Sequence, residues 1–207
     1  ISIGATFALS LVVGPMLEGI VGVPGIFALT GVLALVAIAV VRFGVPDPDR
    51  ITGPATAPGQ LLPALCDRQL LRLSYGTFTL HAVLMALFTQ VPFALRDAGL
   101  TERHHWWLYL PVLVIAVALI LPFLRRTDRP GQAKPAMVAA IVVLFAGTAG
   151  IAWSLRSLTG LAIALTVFFA AFNLLEALLP SLVSKYAAAE GRGAAIGVNS
   201  SAQFLGA

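Results

Sequence analysis

Seven apolar stretches of about membrane-crossing length, at residues 2–20, 24–43, 71–94, 106–124, 135–155, 158–183 and from 194 onward, constrain this chain more than any other feature. A helix needs about 20 apolar residues to cross ~30 Å of hydrocarbon, because each residue advances it ~1.5 Å and lipid offers the backbone no partner outside its own ladder. The pattern predicts an all-α, polytopic transmembrane helical bundle. Composition argues against a soluble fold: 59% of the 207 residues are hydrophobic, 11% are charged and the mean hydropathy is +0.95, against about 25% charged in an average soluble domain. The chain begins at Ile1 inside one apolar run and ends at Ala207 inside another, so it is expected to be a piece of a longer protein.

The net charge of +4 and the pI near 9.8 would point to nucleic acid in a soluble chain. Their distribution points instead to a membrane surface. Arg42, Arg50, Arg68 and Arg72 lie on the second connection, Arg125, Arg126, Arg129 and Lys134 on the fourth, and Lys185 and Arg192 on the sixth. The first has none, the third has Arg96 and Arg103, and the fifth has Arg156. Ten of the 13 basic residues thus fall on alternate connections, and basic residues flanking membrane spans are retained on the cytoplasmic side. Even-numbered connections are therefore expected to be cytoplasmic, with no nucleic-acid partner.

The second connection, residues 44–70, carries PDPDRITGPATAPG, a mixture of helix breakers that stays solvated. It divides the chain into two helices (1–43), a cytoplasmic linker (44–70) and a truncated second bundle (71–207), as expected for part of a protein built from two repeated halves. Cys66, the single cysteine, has no partner for a disulfide or a thiolate metal site. His104 and His105 adjoin Trp106 and Trp107, a spacing that suits an interfacial anchor better than a metal cage. Neither a Walker loop nor a Gly-x-Ser-x-Gly turn is present, so no enzymatic activity, metal or cofactor is expected.

Several segments resemble a known family. SLVVGPMLEG (residues 10–19) is similar to the Gly-Pro-x-x-Gly-Gly signature on the fifth helix of major facilitator superfamily antiporters, with Glu18 at the first paired glycine. DRPGQAK (residues 128–134) is similar to the superfamily's cytoplasmic Asp-Arg-x-Gly-x-x-Lys/Arg turn. LPALCDRQLLRLSYGTFTLHAVLMALFTQVP (62–92), FNLLEALLPSLVSKYA (172–187) and GVNSSAQFLG (197–206) together resemble the YajR-like subgroup of these transporters. The resemblance implies a twelve-helix fold, of which the seven segments here match helices five to eleven. It also implies a multi-pass protein of the bacterial inner membrane acting as a monomer on a small-molecule substrate and protons. In that frame Gly14, Pro15, Asp128, Arg129 and Gly131 form gating elements. Gly14 and Pro15 allow close helix contact and a local break, and Gly131 lets the chain reverse.

Ionisable groups at membrane depth are the candidates for chemistry, because each costs several kcal/mol there without a partner or a wet cavity. Glu176 lies three residues after Asn173, so the two project from nearly one face, and its carboxyl is suited to exchange a proton. His81 lies near the middle of its helix with Phe78, Met85 and Phe88 expected on its side. This face combines a group that titrates near neutral pH with soft and aromatic surface for apolar ligands. Glu18 stands near the first helix exit as a third proton-coupling candidate, and Asn199, Ser200 and Gln203 form a polar stripe that would line a cavity or join helices. For each group the bland reading is structural: a packing histidine, a hydrogen-bonded carboxyl, interhelical amides.

The function expected from the family resemblance is secondary active transport, in the form of proton-coupled antiport that exports small organic or drug-like compounds by alternating access. The alternatives are a uniporter or importer of a small metabolite, or a membrane sensor or scaffold that does not transport.

Overall fold

The computed structural model describes residues 2–46, 61–127, 129 and 131–207, with side chains for all of these except residues 2–9, 11, 12, 15, 125 and 126. The described residues are helical almost throughout: α1 Ser2–Gly44, α2 Leu61–Cys66, α3 Arg68–Asp97, α4 His105–Thr127, α5 Ala133–Trp153, α6 Leu158–Tyr186 and α7 Arg192–Gly206. Among them, five segments are long and apolar enough to cross a membrane: Met16–Gly44, Arg68–Asp97, Glu102–Leu124, Ala133–Trp153 and Leu158–Tyr186. The chain forms two compact units, Ile1–Ala55 and Thr56–Ala207.

In the first unit, the two apolar stretches expected as separate helices join in α1 across a break at Gly22, where φ is 66° and ψ is 175°. A side chain rarely adopts that backbone, so glycine permits the break. The chain bends so sharply that a Cβ at Gly25 would lie 2.5 Å from the Cβ of Val21. At Gly14 and Pro15 the backbone is helical, Pro15 has no N–H to give to the ladder, Gly14 has open space around it, and Pro15's side chain lies outside the described residues.

In the second unit, α6 packs against α3, α4, α5 and α7, and α7 lies chiefly along α3. The reason is in α6's own sequence. Phe168, Phe169, Phe172, Leu161, Leu165, Leu175 and Leu179 recur at helical spacing and are buried. Residues 61–66, at the end of the expected linker, are helical, and α3 starts at Arg68 because Asp67 caps it, its carboxylate accepting from the amides of Gln69 (2.7 Å) and Leu70 (3.0 Å). The breaker-rich part of the linker, residues 47–60, lies outside the described residues. The last helix, α7, has 15 residues and runs to Gly206.

Candidate functional site

His81 occupies the border of the buried stripe of α3. Turning by about 100° per residue places Thr77 and Leu84 to one side of it, facing the core, and Phe78 and Met85 about 50° to the other. Thr77 and Leu84 are buried, whereas Phe78 and Met85 lie on the exposed flank of the helix, at 38% and 40%. The apolar side chains expected to share the histidine's face thus diverge from it. Phe88, two turns on, is half-buried and meets Tyr109 of α4 (centroids 6.1 Å apart) and Phe169 of α6 (6.2 Å).

The imidazole is only 6% exposed and is contacted from three helices. Its Nδ1 lies 3.0 Å from the carbonyl of Thr77, one turn back on α3. A carbonyl can only accept, so Nδ1 carries the hydrogen, and in a neutral ring Nε2 is left with a lone pair. The amide nitrogen of Gln203 on α7, 2.9 Å from Nε2, donates to that lone pair. Glu176 of α6 stands on the same side of the ring, its Oε1 3.9 Å from Nε2, while Phe172 meets the ring edge-on at 5.7 Å between centroids. The hydrogen-bond pattern is that of a neutral histidine with a carboxylate within reach but not bonded.

The same α3–α7 seam contains a second link. Thr77 Oγ1 donates to Oδ1 of Asn199 at 2.8 Å and also lies 3.2 Å from the carbonyl of Leu73. Both Thr77 and Asn199 are buried. The two links repeat with the same offset: residues 77 and 81 on α3 meet residues 199 and 203 on α7, so one turn of each helix forms a ladder. At its far rung α7 approaches so closely that a Cβ on Gly206 would collide with the carbonyl of Phe78. Ser74, one turn before Thr77, has a buried hydroxyl without a partner among the described residues, as does Tyr109 on α4.

The remaining candidates lie elsewhere. Asn173, expected to share a face with Glu176, donates to the carbonyl of Phe169 on its own helix at 2.7 Å, and the carboxylate's neighbour is instead His81. Glu18 is exposed on α1. Arg129 is exposed, Gly131 takes a positive φ of 79° where the chain turns into α5, and Asp128 lies outside the described residues. His104 Nδ1 lies 2.6 Å from Thr101 Oγ1, with its ring against Trp107, while His105 Nε2 donates to the carbonyl of Leu100 at 3.1 Å. Among the described residues no three metal-ligating side chains come together. Thr77 and Ser74 were missed in the sequence, although polar residues at 74, 77 and 81 recur at the spacing of one helix face.

Comparison with known proteins accords with this architecture. The family model described as Major Facilitator Superfamily matches residues 2–207. The chain is 34% identical, over its whole length and 46% of the relative's, to the inner membrane transport protein YajR of Escherichia coli. It is 26% identical to an uncharacterized transporter of Buchnera aphidicola from Acyrthosiphon pisum, over 99% of this chain and 55% of that one. A second uncharacterized Buchnera transporter, from Baizongia pistaciae, is 23% identical over the whole chain and 54% of its own length. The chain therefore spans about half the length of these curated relatives.

Proposed function

We propose that this chain, which belongs to the major facilitator superfamily, is part of a proton-coupled antiporter of the bacterial inner membrane that exports small organic compounds by alternating access. The observation that carries the reading is the placement of His81: a titratable ring buried where α3, α6 and α7 meet, 3.9 Å from Glu176. Ionisable groups at such depth are expensive and mark ion or substrate pathways. The two groups differ in accessibility, His81 being enclosed and Glu176 having a side chain 28% exposed. A proton arriving at the carboxylate would thus come from the open side and be handed to the ring. Its arrival changes the charge held in the bundle and favours whichever of the inward-open and outward-open states solvates that charge better.

The other assignments follow from the same reading. Residues 1–43 act as the last two helices of the N-terminal bundle, 44–70 as the cytoplasmic linker and 71–207 as most of the C-terminal bundle. Arg129 and Gly131, with Asp128, form the cytoplasmic gate, and Gly14, Pro15 and Glu18 serve gating or coupling in the first bundle. The exposed Phe78 and Met85 offer soft apolar surface to a substrate, and the functional unit is a monomer.

Substrate-induced proton movement tests the proposal, using the complete protein in proteoliposomes with an imposed pH gradient and a panel of lipophilic cations and sugars. Proton release on adding a lipophilic cation, abolished by Glu176→Gln and by His81→Gln, is the expected result. If the folded protein moves the compounds with no proton dependence, coupling is wrong and uniport takes its place. If it binds them without flux, it is a sensor.

A further inference from the structure

Nε2 of His81 faces two groups that want opposite things from it. Gln203 on α7 presents an amide nitrogen at 2.9 Å, which can bond only to a lone pair. Glu176 on α6 presents a carboxylate oxygen at 3.9 Å, which can bond only to a hydrogen. We infer that His81 is a proton-driven selector that ties α3 to α7 through Gln203 when neutral and to α6 through Glu176 when protonated at Nε2. The inference builds on the proton-coupling reading above and adds the mechanical consequence for α7.

The chemistry of the exchange balances. A proton binds the Nε2 lone pair, so the Gln203 N–H···Nε2 bond is lost because two donors then face each other. The new Nε2–H has two possible acceptors, the ionised carboxylate of Glu176 or the amide oxygen of Gln203 after a half-turn of the amide. A charge-assisted hydrogen bond to a carboxylate is about twice as strong as one to a neutral amide, so Glu176 takes it. Closing the gap from 3.9 Å to hydrogen-bond length requires a movement of about 1 Å between Nε2 and the carboxylate. Thr77 keeps the ring from rotating away, because its carbonyl holds Nδ1–H in both states. Gln203 is thus a positioning residue, acting through His81.

No other ionisable group competes at this point among the described residues. On α7 the groups facing α3 here are the neutral amides of Asn199 and Gln203. On α3 itself the exposed Tyr75 lies six residues before His81, Arg72 nine before and Arg96 fifteen after. On α2 the titratable side chain is Cys66, which is exposed, and Tyr109 of α4 meets α3 at Phe88, two turns farther along. Of α6's ionisable side chains, Glu176 is the one at the ring.

Hydrogen exchange of the α7 amides tests this in the complete protein in lipid nanodiscs, expressed as protection relative to intrinsic rates between pH 5 and pH 9. The wild type is expected to lose protection over residues 199–206 on acidification by about fivefold, the population change that one hydrogen bond supports. Gln203→Met is expected to show the low protection at every pH. Gln203→Glu is expected to invert the response, because a carboxylate in place of the amide accepts from protonated Nε2 and holds α7 at acid pH. A packing role for the glutamine predicts no inversion. Protection of α7 that is independent of pH in the wild type, or a wild-type pH response in Gln203→Met, overturns the selector. These readings need no substrate. Loss of proton transport in His81→Gln alongside a flat exchange profile would sink the selector alone, and an intact exchange switch without proton-driven flux would sink the transport reading alone.

Discussion

Two helix contacts in the second unit are built on glycine, yet they differ in kind. Where α5 crosses α6, Gly147 lies so close to α6 that a Cβ would fall 2.7 Å from the backbone nitrogen of Phe168, and one at Gly150 would lie 3.2 Å from the Cβ of Ala164. This contact is apolar and interdigitated, with Phe168 fully buried beneath it. Where α7 lies along α3, Gly206 gives an equally close approach, but Thr77, His81, Asn199 and Gln203 run beside it with two interhelical hydrogen bonds. Close apolar packing has one good arrangement and resists sliding. A hydrogen-bonded seam can trade partners when a proton moves. Under the proposed selector, the first seam would serve as scaffold and the second would be where a conformational change starts.

Substitutions at the two seams break or sharpen that contrast. Gly147→Val, which forces a branched side chain into the backbone of Phe168, is expected to destabilise the complete protein by about 3 kcal/mol, read by denaturant unfolding in detergent. The loss should be the same at pH 5 and pH 8, and a pH-dependent loss would end the distinction between the seams. Thr77→Val keeps the shape but leaves Asn199 Oδ1 buried without its donor, so a cost of about 1 to 2 kcal/mol is expected in the same assay. Asn199→Ala should cost less, about 1 kcal/mol or under, because Thr77 retains the carbonyl of Leu73 as an alternative partner. An Asn199→Ala penalty larger than that of Thr77→Val would show that the amide has a partner beyond Thr77. Ser74→Ala, which removes a buried hydroxyl without a partner, should be neutral or slightly stabilising, within about 0.5 kcal/mol. A clear loss of stability there would mean that a water or ligand bonds to the hydroxyl and extends the polar seam by one turn.

Glu176 and His81 stand out in the sequence because charge and imidazole are rare inside apolar runs, and rarity needs no knowledge of neighbours. Their relation does not. Asn173, the polar residue that helical spacing sets beside Glu176, bonds back to Phe169, while the actual neighbour of the carboxylate is 95 positions away in the chain. Phe78 and Met85 show the same gap at finer scale. They do share a side of α3, as spacing requires, but the rotation of the helix turns His81 into the core and leaves them outside. Periodicity fixes angles between side chains and leaves the zero of the angle to packing.

The helical, membrane-crossing character of the chain and the alternation of basic residues among its connections were legible from residues alone, because hydropathy and charge act locally. The place where α1 breaks was not: Gly22 takes the break and the backbone at Gly14 and Pro15 stays helical. Helix packing set Thr77 against Asn199 and placed His81 between Gln203 and Glu176. The physical reason is that a buried donor must find an acceptor somewhere. Many polar groups could have served, and the choice was made by which helices pack together and at what height.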